Sequence, residues 1–348
     1  MKAPRPLTIV GGGLAGLTLG IALRQRGVPV TIWEAGHYPR HRVCGEFICG
    51  RGRETLTALG LDTALSQAGA RLARTAVFFA DATAGPVRAL PEPALCLSRF
   101  ALDATLAAQF RARGGELREG QRWSGSPTDD GIIQASGRRA RTTSARWRWF
   151  GLKAHARGVA LTADLEMHLT PDGYIGLCQL ADGLVNLCGL FRRRSDAGSD
   201  ALPSRTEMLR GAPGSVLHAR LARAEFLPES VCAIGGLDLA PLTTRATDEC
   251  RIGDALTMIP PFTGNGMSMA FESAQLATEP LVQWSHAENS WPETRRTIAA
   301  RSEQLFRPRL TWAKRLHALM FFRPLQPAIV RCLPRSAWSW NFLFSHTR

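Results

Sequence analysis

Lysine is almost absent from this chain. Its 348 residues hold only Lys2, Lys153 and Lys314, so nearly all of the 43 basic residues are arginine. Against 29 acidic residues this leaves a formal net charge of +14. Nucleic-acid binding would need those charges clustered around a reading motif, and no such motif is present. A basic face for anionic lipid or for an acidic carrier protein stays open, beside plain solvated arginine. The eight cysteines (44, 49, 96, 178, 188, 232, 250 and 332) include no CxxC pair. Their scatter excludes a recognisable zinc site or disulfide framework, so no metal is expected. Reduced thiols in a cytoplasmic protein are expected instead. No apolar run reaches about 18 residues, so no spanning helix is expected. The opening MKAPRPLTIV lacks the apolar stretch of a signal peptide. There is no internal repeat.

What is present begins with a βαβ pattern. Residues 6–10 are a short apolar run, 14–26 carry apolar residues at helical spacing, Gly27 stops them, and 28–34 is again strand-like. Residues 51–60 and 99–113 read as helices, the second ending at Gly114-Gly115. Residues 74–90 read as one or two strands. Between 131 and 191 the pattern turns to β, with strands expected at IIQAS, SARWRWFGL, RGVALTA, LEMHLT, GYIGLCQL and LVNLCGLF. A polar loop at 195–204 and two short helices follow. VCAIGG (231–236) and CRIGDA (250–255) read as short strands, and 266–283 as a helix. From 290 onward the chain reads as helical, rich in Arg and Trp, and broken at Pro308, Pro324, Pro327 and Pro334.

Gly11, Gly13 and Gly16 form GxGxxG between the first strand and the first helix. The first glycine permits the tight turn, the second lets backbone approach a pyrophosphate, and the third lets helix pack on strand. The phosphates would sit at the helix N-terminus, where free N–H groups and the dipole favour negative charge. Glu34 stands where an acid accepts hydrogen bonds from ribose hydroxyls. The fingerprint by itself does not separate FAD from NAD.

Four segments together resemble the p-hydroxybenzoate hydroxylase superfamily of FAD-dependent proteins. They are the fingerprint, the loop HYPRHRVCGE (37–46), Arg99 in LSRFALDATL, and RIGDALTMIPPFTGNGM (251–267). The resemblance covers about residues 6–285. It implies FAD as cofactor and a Rossmann-type FAD domain interleaved with a mixed, mainly antiparallel substrate sheet. It further implies that Arg40, Arg99, Gly253 and Asp254 hold phosphate, ribose or ribityl groups. Pro261, Gly264, Asn265, Gly266 and Met267 would meet the isoalloxazine, with N–H groups stabilising reduced flavin. The expected division is 1–73, 95–145 and 231–285 for FAD, 74–94 and 146–230 for substrate, and a helical segment at 286–348.

The resemblance has two departures. Ser136 stands where many aromatic hydroxylases carry an Asp linked to FAD and NADPH, and no second GxGxxG exists, so NAD(P)H as direct donor is doubtful. Trp147-Arg148-Trp149 continues as Phe-Gly-Leu and not as the Trp-x-Trp-x-Ile-Pro of flavin-dependent halogenases, so halogenation is disfavoured. Cys44-Gly45-Glu46 resembles the loop of geranylgeranyl-reductase-like flavoproteins. Lys153 and His155 alternate on a strand and would face one side. These four, Cys44, Glu46, Lys153 and His155, are the catalytic candidates. The expected function is an FAD-dependent monooxygenase acting on an apolar or aromatic biosynthetic intermediate. C=C reduction and a non-catalytic FAD-binding role are its rivals. The tail at 312–345 mixes Trp, Phe and Leu with Arg, which suits a lid, a cap on the protein's own core, or an anionic membrane contact.

Overall fold

The computed structural model describes residues 3–138, 146–196, 203–237 and 248–332, with 336, 340, 341 and 344 beyond them. The chain opens with strand β1 (Leu7–Val10), helix α1 (Leu14–Gln25) and strand β2 (Val30–Glu34). Strand β3 (Phe47–Ile48), helices α2 (Arg51–Ala58) and α3 (Asp62–Gln67), and strands β4 (Arg71–Ala80), β5 (Thr83–Ala84) and β6 (Arg88–Cys96) follow. Helix α4 (Arg99–Ala112) leads to β7 (Glu116–Glu119) and β8 (Ile132–Gln134). Next come β9 (Trp147–Arg157), β10 (Leu165–Thr170), β11 (Gly173–Gln179) and β12 (Val185–Arg194). Helices α5 (Arg205–Arg210) and α6 (Val216–Arg220) precede β13 (Glu225–Leu237) and β14 (Cys250–Arg251). Helices α7 (Gly266–Ser285), α8 (Trp291–Met320) and α9 (Gln326–Cys332) close the described chain.

Two sheets organise these elements. The first is parallel, in the order β14-β8-β1-β2-β7. The parallel neighbours β1 and β2 are joined through α1, as a parallel connection requires. Helix α1 buries ten consecutive residues, Leu14 to Leu23, between this sheet and its helical neighbours α4 and α7. The main core cluster therefore gathers Leu7, Ile9, Leu17, Ile32, Leu106 and Phe271. The second sheet is mixed and runs β13-β9-β12-β11-β10-β4-β6-β3, with β5 on β4. Most of its pairs are antiparallel, and β4 with β10 is parallel.

The structure differs from the sequence reading in four places. RGVALTA is a loop, because its backbone finds other partners: Thr162 N–H donates to Glu166 Oε1 and the Arg220 guanidinium takes the Ala160 carbonyl. VCAIGG is the far half of one 13-residue strand, β13, whose register shifts between Leu227 and Cys232. Ser230 holds that bulge by donating to Leu227 O while accepting from His155 N–H. The boundary drawn at 231 thus falls inside a strand that pairs wholly in the second sheet. CRIGDA is strand only at Cys250–Arg251, and a 3-10 turn at Gly253–Ala255 replaces the rest. Pro308 does not break its helix, because Phe306, Leu310 and Ala313 anchor α8 on both sides of it. Pro334 lies outside the described residues.

Candidate functional site

The three fingerprint glycines occupy three different environments. Gly11 has φ +109°, and a Cβ there would lie 2.4 Å from the Ala135 carbonyl oxygen. A Cβ on Gly16 would lie 2.0 Å from Gly11 O, so only hydrogen lets α1 seat on β1. A Cβ on Gly13 would meet nothing within 4 Å. Gly13 is also the N-cap of α1 and offers no side-chain cap, so the first N–H groups of the helix face an open surface. This is the cradle a pyrophosphate needs. Glu34 lies beside it. Its carboxylate accepts from Gly12 N–H (2.9 Å) and Gly36 N–H (2.8 Å) and pairs with Arg40 at 2.9 Å. Burial pushes this carboxyl up, but those amides and Arg40 more than offset it, so Glu34 stays ionised. Arg40 is thereby held at the ribose end of the cradle.

Arg99 begins α4 and clamps Asp103 with two bonds of 2.7 and 2.8 Å. Burial would lower its pKa, and Asp103 outweighs that, so the guanidinium is permanently charged. Gly253 has φ +58°, and a Cβ there would lie 2.8 Å from the Ala15 Cβ, which docks this turn on α1. Its N–H donates to Ser273 Oγ at 2.9 Å. Asp254 keeps solvent contact although protein encloses it, as a residue lining a deep cleft does. That enclosure raises its carboxyl pKa, and Arg99 and Arg138 offset part of the rise. An acceptor so placed suits a polyol chain.

Residues 261–267 form a second cradle. Pro261–Thr263 is a 3-10 turn closed by Gly264 at φ +67°, where a Cβ would strike the Phe47 ring at 2.2 Å. Helix α7 then starts without a side-chain cap on Asn265. A Cβ on Gly266 would meet nothing within 4 Å, and the buried Asn265 Nδ2 has no partner. The Met267 side chain points into the core, so only its backbone can serve a cofactor. The residues present fit FAD: two uncapped helix starts, an open glycine in each, one permanent cation, and acids at ribose and ribityl positions.

The catalytic candidates meet in one buried cluster. Glu46 sits at φ +60° on the loop before β3. Its Oε2 lies 2.7 Å from His155 Nε2, its Oε1 lies 3.4 Å from Lys153 Nζ, and Oε1 also accepts from Arg99 N–H at 2.9 Å. The Lys153 and Glu46 side chains are both 0% exposed. Lys153 Nζ lies 3.0 Å from His41 Nδ1. Burial, and then the charge of Lys153, push His41 down to about 4, so its neutral ring accepts from the ammonium. Cys44 lies beside Arg99, yet burial still raises its thiol pKa, which makes it a poor thiolate. Beneath the cluster a cavity of about 400 Å³ is lined by His41, Ser98, Phe100, His155, Leu184 and Glu229, among others.

Three contributors are not evident in the sequence pattern. His41 completes the Lys153 contact. Asn186, opposite His155 on β12, donates from Nδ2 to Cys44 O at 2.9 Å and fixes the loop. The Tyr38 hydroxyl donates to Gly12 O and braces the first cradle. His168 lies elsewhere, in a buried network with Glu166 and Arg220.

Residues 5–147 match the sequence profile of the family described as FAD binding domain. These residues carry an FAD-binding domain, in keeping with the resemblance to the p-hydroxybenzoate hydroxylase superfamily. FAD is therefore the cofactor that this domain is built to hold. Among solved structures it resembles a flavoprotein/dehydrogenase from Cytophaga hutchinsonii, at 18% identity and TM-score 0.72, with 98% of this chain and 96% of that one covered. It is also similar to the myxobacterial chondrochloren halogenase CndH, at 17% identity and TM-score 0.74, covering 100% and 91%. A third is PqsL of P. aeruginosa, described in complex with 2-aminobenzoylacetate, at 14% identity and TM-score 0.69, covering 94% and 99%. Likeness at these identities shows the fold. No curated protein matches the sequence.

Proposed function

We propose that this flavoprotein is a monooxygenase acting on an apolar or aromatic biosynthetic intermediate. The observation that carries the reading is a buried aromatic cluster next to the turn that is expected to face the flavin. Tyr174 packs edge-on against Phe262, the residue after Pro261, with ring centroids 5.3 Å apart. Phe321 and Trp149 continue the wall. The Tyr174 hydroxyl is buried and has no hydrogen-bond partner among the described residues, and burial keeps it protonated. A buried orphan donor is costly, and a substrate oxygen or nitrogen would satisfy it. Bound FAD would supply the redox chemistry and activate dioxygen. The protein's part is to exclude water around the reacting atoms, and an apolar aromatic wall does this. The Glu46–His155 pair, which reaches the neighbouring cavity, would pass protons between that cavity and the cofactor loop.

The same pair also favours a second reading, reduction of a C=C bond, which needs a proton donor near the flavin. Halogenation is not proposed, because Trp147-Arg148-Trp149 runs on as Phe150-Gly151-Leu152. The deciding experiment supplies aromatic and polyene candidates with a chemical reductant for FAD, with and without oxygen. Oxygen-dependent product carrying label from 18O2 supports monooxygenation. Full turnover under strict anaerobiosis overturns it in favour of reduction.

A further inference from the structure

The far end of α8 presents an apolar tip that the described residues leave exposed. Leu319, Phe322 and Leu325 are 38%, 53% and 43% exposed. They are half of the six exposed large hydrophobic residues among the described ones, gathered within seven positions. The opposite side of the same helix end is fully engaged. Met320 is buried, Phe321 stands edge-on to Trp149, and Gln326 Nε2 donates to Met320 O. The tip is therefore packed against the fold from behind.

Charge singles out its partner. From Gln304 to Arg348 the sequence holds eight basic residues and no Asp or Glu. One of the eight, Arg309, is used internally on Glu272 at 2.7 Å. Lys314, Arg315, Arg323 and Arg331 are exposed around the apolar tip. Apolar side chains at the crest with guanidinium and ammonium groups beside them match the boundary of an anionic bilayer. There the apolar groups enter the acyl region and the cations meet phosphates. A second copy of the chain would bring the same cations and no acids from this segment. No helix among the described residues is long and apolar enough to cross a membrane, so the contact is peripheral.

We propose that the α8 tip docks this protein on anionic lipid surfaces through Leu319, Phe322 and Leu325, with Lys314, Arg315, Arg323 and Arg331 as the electrostatic ring. The proposal does not depend on the reaction class. Leu319 and Phe322 flank the Met320–Phe321 pair, which packs on the aromatic cluster.

The test is co-sedimentation of the full chain with phosphatidylcholine vesicles and with equal mixtures of phosphatidylcholine and phosphatidylglycerol. The protein should partition to the anionic vesicles about tenfold or more over the neutral ones, and added salt should release it. Phe322→Asp/Leu325→Asp should abolish binding while leaving the thermal midpoint unchanged, because both side chains are exposed. Arg315→Glu/Arg323→Glu should do the same by charge alone. Absence of binding at low salt, equal binding to neutral vesicles, or undiminished binding of both double variants overturns the proposal. So does retention only on an acidic carrier protein, which would assign the tip to a protein partner.

Discussion

Glu46 and Lys153 come from segments 107 positions apart, lie 3.4 Å apart, and are both closed off from solvent. An ion pair so deep is expensive to break from one side, because the survivor is a buried unpaired charge. Glu46→Gln should therefore destabilise the protein by about 3–5 kcal/mol. Lys153→Met should be milder, because Glu46 keeps His155 and the Arg99 amide. The double variant should recover much of the Glu46→Gln loss. Denaturant unfolding of the three variants checks this, and additive losses would show the pair to be uncoupled.

The cradle glycines separate cofactor binding from folding. Gly13 has φ −80° and open space, so Gly13→Val should fold with a near-normal thermal midpoint and purify without flavin colour. Gly16→Ala should instead cost about 1–3 kcal/mol, since its Cβ would press on Gly11 O. Flavin absorbance per protein alongside melting curves tests both. Stoichiometric FAD in Gly13→Val would move the pyrophosphate elsewhere.

The sequence made the cofactor side legible and left the chemistry partly hidden, for a physical reason. Gly11, Gly13, Gly16 and Glu34 fall within one βαβ unit, where spacing in sequence is spacing in space. Lys153 and His155 were placed on one face by strand alternation, and they do converge on Glu46. What no spacing could show is that His41, 112 positions away from Lys153, would supply its other partner. Nor could it show that burial would raise the Cys44 thiol pKa despite Arg99 beside it. The Pro308 reading failed because a helix anchored on both sides absorbs one missing bond.

The electron donor follows from what replaces the family's acid. Ser136 lies against Gly11, with its Cα 2.6 Å from where a Gly11 Cβ would stand, and it offers no carboxylate. NADPH alone should bleach the bound flavin slowly, at least about tenfold slower than with a reductase partner or a saturating substrate. Anaerobic stopped-flow at the flavin band measures this, and rapid bleaching by NADPH alone would reinstate a direct nicotinamide donor.

Acid should weaken the fold through two histidines. His41 and His317 are both pushed down to about 4 by burial first, helped by Lys153 and Arg192 respectively. An unfolded histidine titrates near about 6.5. Between those values the unfolded chain binds protons that the folded chain refuses, so stability falls as pH drops from about 6.5 to about 4. His317 also has both ring nitrogens buried without hydrogen-bond partners among the described residues, in a cage with Trp149 and Phe321. His317→Phe should flatten the melting profile across that window and raise the midpoint at pH 5 by about 2–4 °C. An unchanged profile would mean that His317 does not titrate there.

Tyr174 gives the sharpest test of the aromatic cluster. Its hydroxyl is buried among Phe262, Phe321 and Cys188, protonated, and without a hydrogen-bond partner in the described residues. If the residue served packing alone, Tyr174→Phe would remove an unsatisfied group and leave turnover untouched. If the hydroxyl addresses a substrate atom, stability and function should move in opposite directions. The midpoint should rise, corresponding to about 1 kcal/mol, because the desolvated hydroxyl is gone. Substrate affinity should fall about tenfold, since a lost hydrogen bond to a bound polar atom is worth about 1.4 kcal/mol. The loss should appear in KM and in uncoupled peroxide release, with kcat at saturation changed less. A stabilised variant with unaltered KM would return Tyr174 to the core and remove the aromatic cluster from the substrate path.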